Sequence, residues 1–600
     1  MSKTKRNPSR SQVNVVDTWD LKPLYKSDAA WQRAFTELEK GVTAFERYRG
    51  KLGTSAKVLR ACCDTENELD QLAERLSYYA FLKSAEDVAN STYQGMVGQF
   101  MNLATRVQEA TSFISPEIQS IPKAKMSKML KSSLLKDYRY ALEKLLRYRP
   151  HILSQKEERL LAMQGEVSGT ARKVFDQLHD ADMKFGTLKD ENGRETELTN
   201  GSFRVFLDSS KRSLRKKASE QFYAAYGAHE NSLAATLSSS VLQDVYQARV
   251  RNHPSALEGA LFSDDVPVSV YTNLIDTVHN HLGTVHRYLD VRRKALKVKE
   301  LHFYDTYVPI VEMPRPKYPY QKAADTIVEA FKPLGTPYCK ALKAGLDGRW
   351  VDRYENQGKR SGAFSAGGYV GPPYMLMNYQ AEGMDSMFTL AHEAGHSMHT
   401  YYSARNQPYQ YYGYTIFVAE VASTFNEMLL FRHLFDKAKN KTMRAFLINK
   451  QIDDLRATIV RQTMFAEYEK IIHEAAEAGE PLTLERLKHD YRGLLEAYFG
   501  PKFVIDDILE LESLRIPHFY SAFYVYKYAT GMSAAIALSK MVLKGGAKER
   551  DRYLNFLKSG GSKFPLELLR DAGVDMSKPE PVDVAMQHFA GLVDELESLI

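Results

Sequence analysis

A mainly α fold with a small β part is predicted by three features of the sequence. Apolar residues recur at three- and four-residue intervals over long stretches, as in Leu69, Leu72, Leu76, Tyr79 and Phe81. Gly and Pro are scarce inside those stretches. Alternating, turn-bounded segments are confined to a few short regions.

In order along the chain, residues 29–160 read as helix after helix, and their Tyr-rich faces read as core. Over 183–200 the pattern changes. Met183-Lys-Phe-Gly-Thr-Leu188 and Glu195-Thr-Glu-Leu198 flank Asn192-Gly193, which predicts a β-hairpin with the turn's positive φ supplied there. Helices return after Asn200. Leu301 to Pro309 reads as extended. So do Gly362 to Ala366 and Tyr374 to Tyr379, joined through Gly367-Gly368 and Gly371-Pro372-Pro373 into a small sheet. From Asp385 onward the chain is again mostly helical. The expected organisation is a basic disordered tail over 1–14, a helical lobe over 15–182, a hairpin junction over 183–200, and a catalytic domain over 201–600.

The composition is that of a soluble globular chain: 600 residues, 44% apolar and 26% charged, with a net charge of +7. Lys3, Lys5, Arg6 and Arg10 read as a frayed terminus. Lys211, Arg212, Arg215, Lys216 and Lys217 have helical spacing and read as a solvated face. Neither cluster comes with a recognition motif or stacking aromatics, so a nucleic-acid partner is not expected. Three cysteines, two of them adjacent (Cys62 and Cys63), imply no disulfide framework. No stretch approaches a membrane span and no secretory h-region leads the chain, so a cytoplasmic location is the expectation.

The chemistry-bearing motif is His392-Glu393-Ala394-Gly395-His396. Residues four apart on a helix share a face, so His392 and His396 aim at one point, as a zinc pair requires. Glu393 lies on the same wall and is read as the base that takes a proton from the attacking water. Asp385 or Ser386 is expected to cap this helix. A catalytic zinc needs a third protein ligand and one open position. His399 lies a turn too far along, and Tyr402 stands where a further histidine would complete a three-histidine motif. Downstream, Phe417-Val-Ala-Glu420 to Glu427 reads as a helix carrying two carboxylates in apolar surroundings. Glu420 is the expected third ligand of one zinc ion, and Glu427 is expected to hold the free N–H of a zinc-bound histidine. The reverse assignment is the alternative.

These motifs resemble oligoendopeptidase F of the thimet oligopeptidase superfamily. The likeness extends through Leu82 to Tyr93, Tyr271 to His279, Tyr304 to Pro309, Gly358 to Ala363, and Ile516 to Gly531, and so covers most of the chain. The resemblance implies a multi-helix shell around a deep substrate channel, with a small β-sheet near the active site. It implies zinc on His392, His396 and Glu420, with Glu393 catalytic. It also implies a substrate-contacting cluster at His518 with Tyr524, Tyr526 and Tyr528. The choice of tyrosine stays open, because the spacing here differs from that of the thimet branch. His518 and Tyr528 are expected to donate to the oxyanion. A peptide backbone is expected to pair with an exposed strand edge near Gly362 to Ser365 or Tyr374 to Asn378.

The function expected is therefore zinc-dependent hydrolysis of internal bonds in short oligopeptides, without nucleic acid or membrane partners and with no oligomeric state specified. A zinc carboxypeptidase of similar helical build is one alternative. A non-catalytic peptide-binding protein with a structural metal is the other.

Overall fold

The structure is a computed structural model, and it describes residues 6–311 and 316–600. Helices dominate. Among the described residues there are seven short strands: β1 (Thr187–Lys189), β2 (Glu195–Glu197), β3 (Leu301–His302), β4 (Val351–Asp352), β5 (Phe364–Ala366), β6 (Tyr374–Leu376) and β7 (Phe503–Val504). No helix among the described residues is long and apolar enough to cross a membrane. The chain forms two compact units, each assembled from three separate segments.

The first unit comprises Met1–Pro150, Arg315–His433 and Leu538–Gly573. Its longest helix, Ala56–Glu86, begins where Ser55 Oγ accepts the Val58 N–H. Leu76, Tyr79, Leu82 and Ala85 of this helix enter a core with Trp19, Trp31, Leu38 and Tyr374. Leu59, Cys62 and Cys63, a few turns earlier, enter a second core with Phe45, Leu52, Ile118 and Tyr138. Each fully buried Leu there stabilises the unit by roughly 1.5–3 kcal/mol. The expected sheet forms with order β4-β6-β5, β4 pairing with β6 in parallel and β5 antiparallel, with Ser365 opposite Met375. Central β6 is buried along its whole length, and β5 is an edge.

The N-terminal expectation needs correction. Lys3 and Lys5 lie outside the described residues, but residues 6–14 are placed. Arg10 pairs with the buried carboxylate of Asp352 at the end of β4 and also with Glu86. Lys359 Nζ approaches the same carboxylate at 2.7 Å. A buried Asp holds two cations here, and one of them ties the tail down.

The second unit comprises His151–Pro314, Leu434–Ala537 and Val574–Ile600. The predicted hairpin is present, with Leu188 opposite Thr196. Gly193 takes the positive φ of +78° at its turn, whereas Asn192 does not. The reading of residues 301–309 as extended holds only for Leu301 and His302, which pair in parallel with β7. Phe303–Asp305 is a buried 3-10 turn. The basic cluster at 211–217 is also more than a solvated face. Arg215 is 2% exposed and donates to Asp305, which is 0% exposed and also takes Arg212. The same buried carboxylate that forces the turn at 303–305 thus recruits the two arginines.

Candidate metal centre and ring cluster

The motif helix spans Asp385–Asn406. Neither Asp385 nor Ser386 caps it. Met384 is the cap residue, Asp385 is in the first turn, and Ser386 Oγ instead accepts the Gln380 N–H. Asp385 still favours this end by placing a negative charge near the positive pole of the helix dipole. Met387, Leu390, Ala391, Ala394 and Met398 are fully buried, and this packing fixes which way the two histidines point. The helix Ile416–Lys437 brings Glu420 and Glu427 alongside.

The two helices approach closely at Gly395. A Cβ there would lie 2.5 Å from the Ala422 carbonyl oxygen and from Ser423 Cα. Only glycine permits that contact, because the clashing atoms are backbone and cannot swing away. Asn426 adds a buried bond, donating to the Ala391 carbonyl at 3.2 Å.

The resulting geometry is compact. The Nε2 atoms of His392 and His396 are 3.2 Å apart. Glu420 Oε2 lies 3.4 Å from the first and 3.6 Å from the second. Zinc bonds of about 2.0–2.2 Å at tetrahedral angles place ligand atoms about 3.3–3.6 Å apart. The three edges match one face of that tetrahedron. His392, His396 and Glu420 are the one group of this kind among the described residues. Two imidazoles and a carboxylate are also a donor set that suits zinc and leaves a fourth position open.

The outward nitrogen of His392 is held as well. Glu427 Oε1 sits 2.5 Å from His392 Nδ1. The Ala419 carbonyl weakly favours charge on His396. Glu427 therefore occupies the far nitrogen of His392, and Glu420 faces the near ones. Burial opposes charge on His392, but the Glu427 hydrogen bond and charge, with Glu393 and Glu420, outweigh it and raise its pKa to about 9. His396 is pushed down to about 4 by burial and by the neighbouring His392 charge.

Glu393 is 7% exposed. Burial raises its carboxyl to about 7, with His392 opposing and Glu420 reinforcing the shift. The backbone N–H of Ser365 on edge strand β5 also opposes the rise. Ser365 Oγ is in turn 2.7 Å from Ser397 Oγ on the motif helix. Gly362, expected to meet substrate, is at an exposed turn before β5 with φ +81°, and its carbonyl is held by Asn378. His399 points into the core. It stacks on Tyr414 at 3.6 Å and lies 5.3 Å from Phe556.

The second unit carries the other expected residues. His518 stands on the 3-10 turn Pro517–Tyr520, and Tyr528 is in the first turn of the helix Tyr526–Gly545. Ring centroids are 6.1 Å apart for His518–Tyr524, 6.0 Å for His518–Tyr528 and 5.4 Å for Tyr524–Tyr528. These three form one partly exposed cluster. Tyr526 does not join it. Its ring is 0% exposed and packs 5.2 Å from Tyr271, because a residue two before Tyr528 faces the opposite side of the helix. The expectation that Tyr526 contacts substrate is corrected on that ground.

Sequence reasoning did not single out Gly395, Ser365, Ser397, Asn426 or the Ala419 carbonyl. Gly395 carried a signal, as a glycine inside a strongly helical motif. The others act through tertiary contacts that sequence spacing does not encode.

Comparison with known proteins places this geometry. A helical chain with a His-Glu-x-x-His helix and a carboxylate helix beside it is built as metallopeptidases are. The Peptidase family M3 model matches residues 205–588, and the Oligopeptidase F model matches residues 117–185. Oligopeptidase PepF of Bacillus subtilis is 44% identical over 599 residues, covering 100% of this chain and 89% of that protein. An oligoendopeptidase F homolog of Borreliella burgdorferi is 38% identical, covering 98% of this chain and 99% of its own. Among solved structures, a Chlamydophila abortus protein superposes with a TM-score of 0.93 at 34% identity, over 99% of this chain and 100% of that one. Oligoendopeptidase-F from Enterococcus faecium gives 0.74 at 32% identity, over 95% and 99%. The chain belongs to peptidase family M3, in its oligoendopeptidase F group.

Proposed function

We propose that this chain is a zinc-dependent endopeptidase that hydrolyses internal bonds of short oligopeptides in the cytoplasm. The observation that carries the reading is the match of the His392–His396–Glu420 triangle to a tetrahedral zinc face, with Glu393 beside it. The three free cysteines suit a reducing compartment. The endopeptidase assignment draws on the relatives named as oligoendopeptidase F.

In this reading His392, His396 and Glu420 hold one zinc ion. When bound, zinc polarises the scissile carbonyl and acidifies the attacking water. Glu393, which is buried, takes the proton from that water and returns it to the leaving amine. Glu427 fixes the tautomer and orientation of His392 through its Nδ1. An extended peptide adds to edge strand β5 near Gly362 to Ser365, which holds main chain without demanding a sequence. His518 with Tyr528 or Tyr524 donates to the oxyanion that develops on the carbonyl.

An internally quenched peptide tests the metal part. Chelation is expected to abolish cleavage while the circular-dichroism spectrum stays helical, and zinc is expected to restore it. Cleavage that survives exhaustive chelation contradicts the reading. Loss of the helical spectrum on chelation points to a structural metal instead.

A further inference from the structure

Phe523 has a φ of +54°, one of few non-glycine residues in the left-handed region. Its ring is 2% exposed and lies between Tyr271, at 5.7 Å, and His473, at 4.5 Å. Its backbone N–H donates to Glu469 Oε1 at 2.9 Å. Glu469 belongs to the helix Arg461–Glu477 and is 0% exposed. Its other oxygen has no hydrogen-bond partner among the described residues. Burial holds this carboxyl far above the usual carboxylate range. The Phe523 N–H opposes that and the Asp244 charge adds to it.

A buried carboxyl with one oxygen idle is a costly residue if only packing is needed. What it supplies is local. The strained residue turns its N–H inward, away from water, and Glu469 accepts it. On either side the turn is closed by Ser521 N–H to the His518 carbonyl at 2.9 Å and Tyr524 N–H to the Ser521 carbonyl at 3.2 Å. Phe523 is thus the inner anchor of the segment that carries His518 at one end and Tyr524 and Tyr528 at the other.

We propose that Glu469 is a positioning residue for the reaction, its buried acceptor oxygen locking Phe523 in the left-handed conformation that sets where Tyr524 and Tyr528 present their hydroxyls. This rests on the reading of the His518–Tyr524–Tyr528 cluster as substrate-contacting.

The test is steady-state cleavage of the quenched peptide by Glu469→Ala, Glu469→Gln, Tyr528→Phe, Tyr524→Phe and the double variants of Glu469→Ala with each tyrosine change, with zinc content and thermal melts alongside. Losing a transition-state donor is expected to cost a tyrosine variant about 100-fold in kcat/KM. Glu469→Ala is expected to lose about tenfold or more at unchanged zinc content. Glu469→Gln keeps the acceptor oxygen and is expected within about threefold of wild type. If Glu469 works through a tyrosine, the double variant falls no further than that tyrosine change alone, to within about threefold. Multiplying losses, or full activity in Glu469→Ala beside a crippled tyrosine variant, overturn the proposal. Loss in Glu469→Gln as large as in Glu469→Ala also overturns it, because the acceptor oxygen is then not what matters. If Glu469→Ala does not fold, placing phenyllactic acid at 523 removes only the N–H. Wild-type kcat/KM in that ester variant overturns the proposal, and a loss of about tenfold supports it. Unchanged activity in both tyrosine variants and in His518→Ala refutes the cluster's role itself, a result distinct from any failure of Glu469.

Discussion

Glu393 lies among four other ionisable groups, His392, His396, Glu420 and Glu427, and the Ser365 N–H of β5 opposes the rise in its pKa. Glu393 does not join the His392–His396–Glu420 group of metal-capable atoms. Glu393→Gln preserves shape and removes basicity. Turnover is expected to fall by about 10²–10⁴-fold, the usual worth of a positioned base, at full zinc content by atomic absorption. Near-normal turnover contradicts the assignment. The two downstream carboxylates separate in the same way. Glu420→Ala removes one of three ligands and is expected to abolish stoichiometric zinc. Glu427→Ala leaves the ligands but frees His392 Nδ1, and is expected to weaken zinc about 10–100-fold in a competition titration. Equal zinc occupancy in wild type and Glu420→Ala moves the ligand elsewhere. At this scale the sequence was largely sufficient for the metal centre, because His392 to His396 is set by helix period alone. It was insufficient for Tyr526, which the start of a helix turns inward.

At the scale of elements, the centre depends on how closely two helices pass. Gly395→Ala sets a methyl group 2.5 Å from immovable backbone of the neighbouring helix. Overpacking of this kind costs about 1–3 kcal/mol, and the helices can relieve it only by moving Glu420 away from the histidines. A lower melting temperature together with weaker zinc binding is expected. A variant that melts lower but binds zinc as wild type does shows that the contact serves packing alone. Burial pushes the pKa of His399, inside the same helix, down to about 3, with His396 adding to the shift. Its folded pKa is below the unfolded value of about 6.5, so only the unfolded chain gains a proton as pH falls. The stability it contributes is complete above pH 6.5 and is lost below it, by up to about 1.4 kcal/mol per pH unit. His399→Phe keeps the ring against Tyr414 and Phe556. In chelated protein its melting temperature is expected to gain on wild type between pH 7 and pH 5. Parallel shifts at both pH values contradict this. The hairpin at 187–197 and the β5–β6 pair were legible from turn residues and alternation. The 303–305 turn and the absent cap at Asp385 were not, because a buried Asp305 and a preceding loop decide them.

For the whole molecule, the likeness to relatives runs from end to end, with 98–100% of the chain covered by the two bacterial proteins compared. Mainly helical architecture followed from apolar periodicity. The two compact units did not, since each is gathered from segments hundreds of residues apart, and contacts of that span leave no local mark in sequence. The proposed activity is internal cleavage of peptides by means of Glu393 and a zinc ion. Mass spectrometry of a mixed pool of about 8–15-residue peptides, incubated with wild type and with Glu393→Gln, puts it to the test. Internal cuts made by wild type alone are the predicted result. Single-residue ladders from the C-terminus, or equal products from both proteins, contradict the claim.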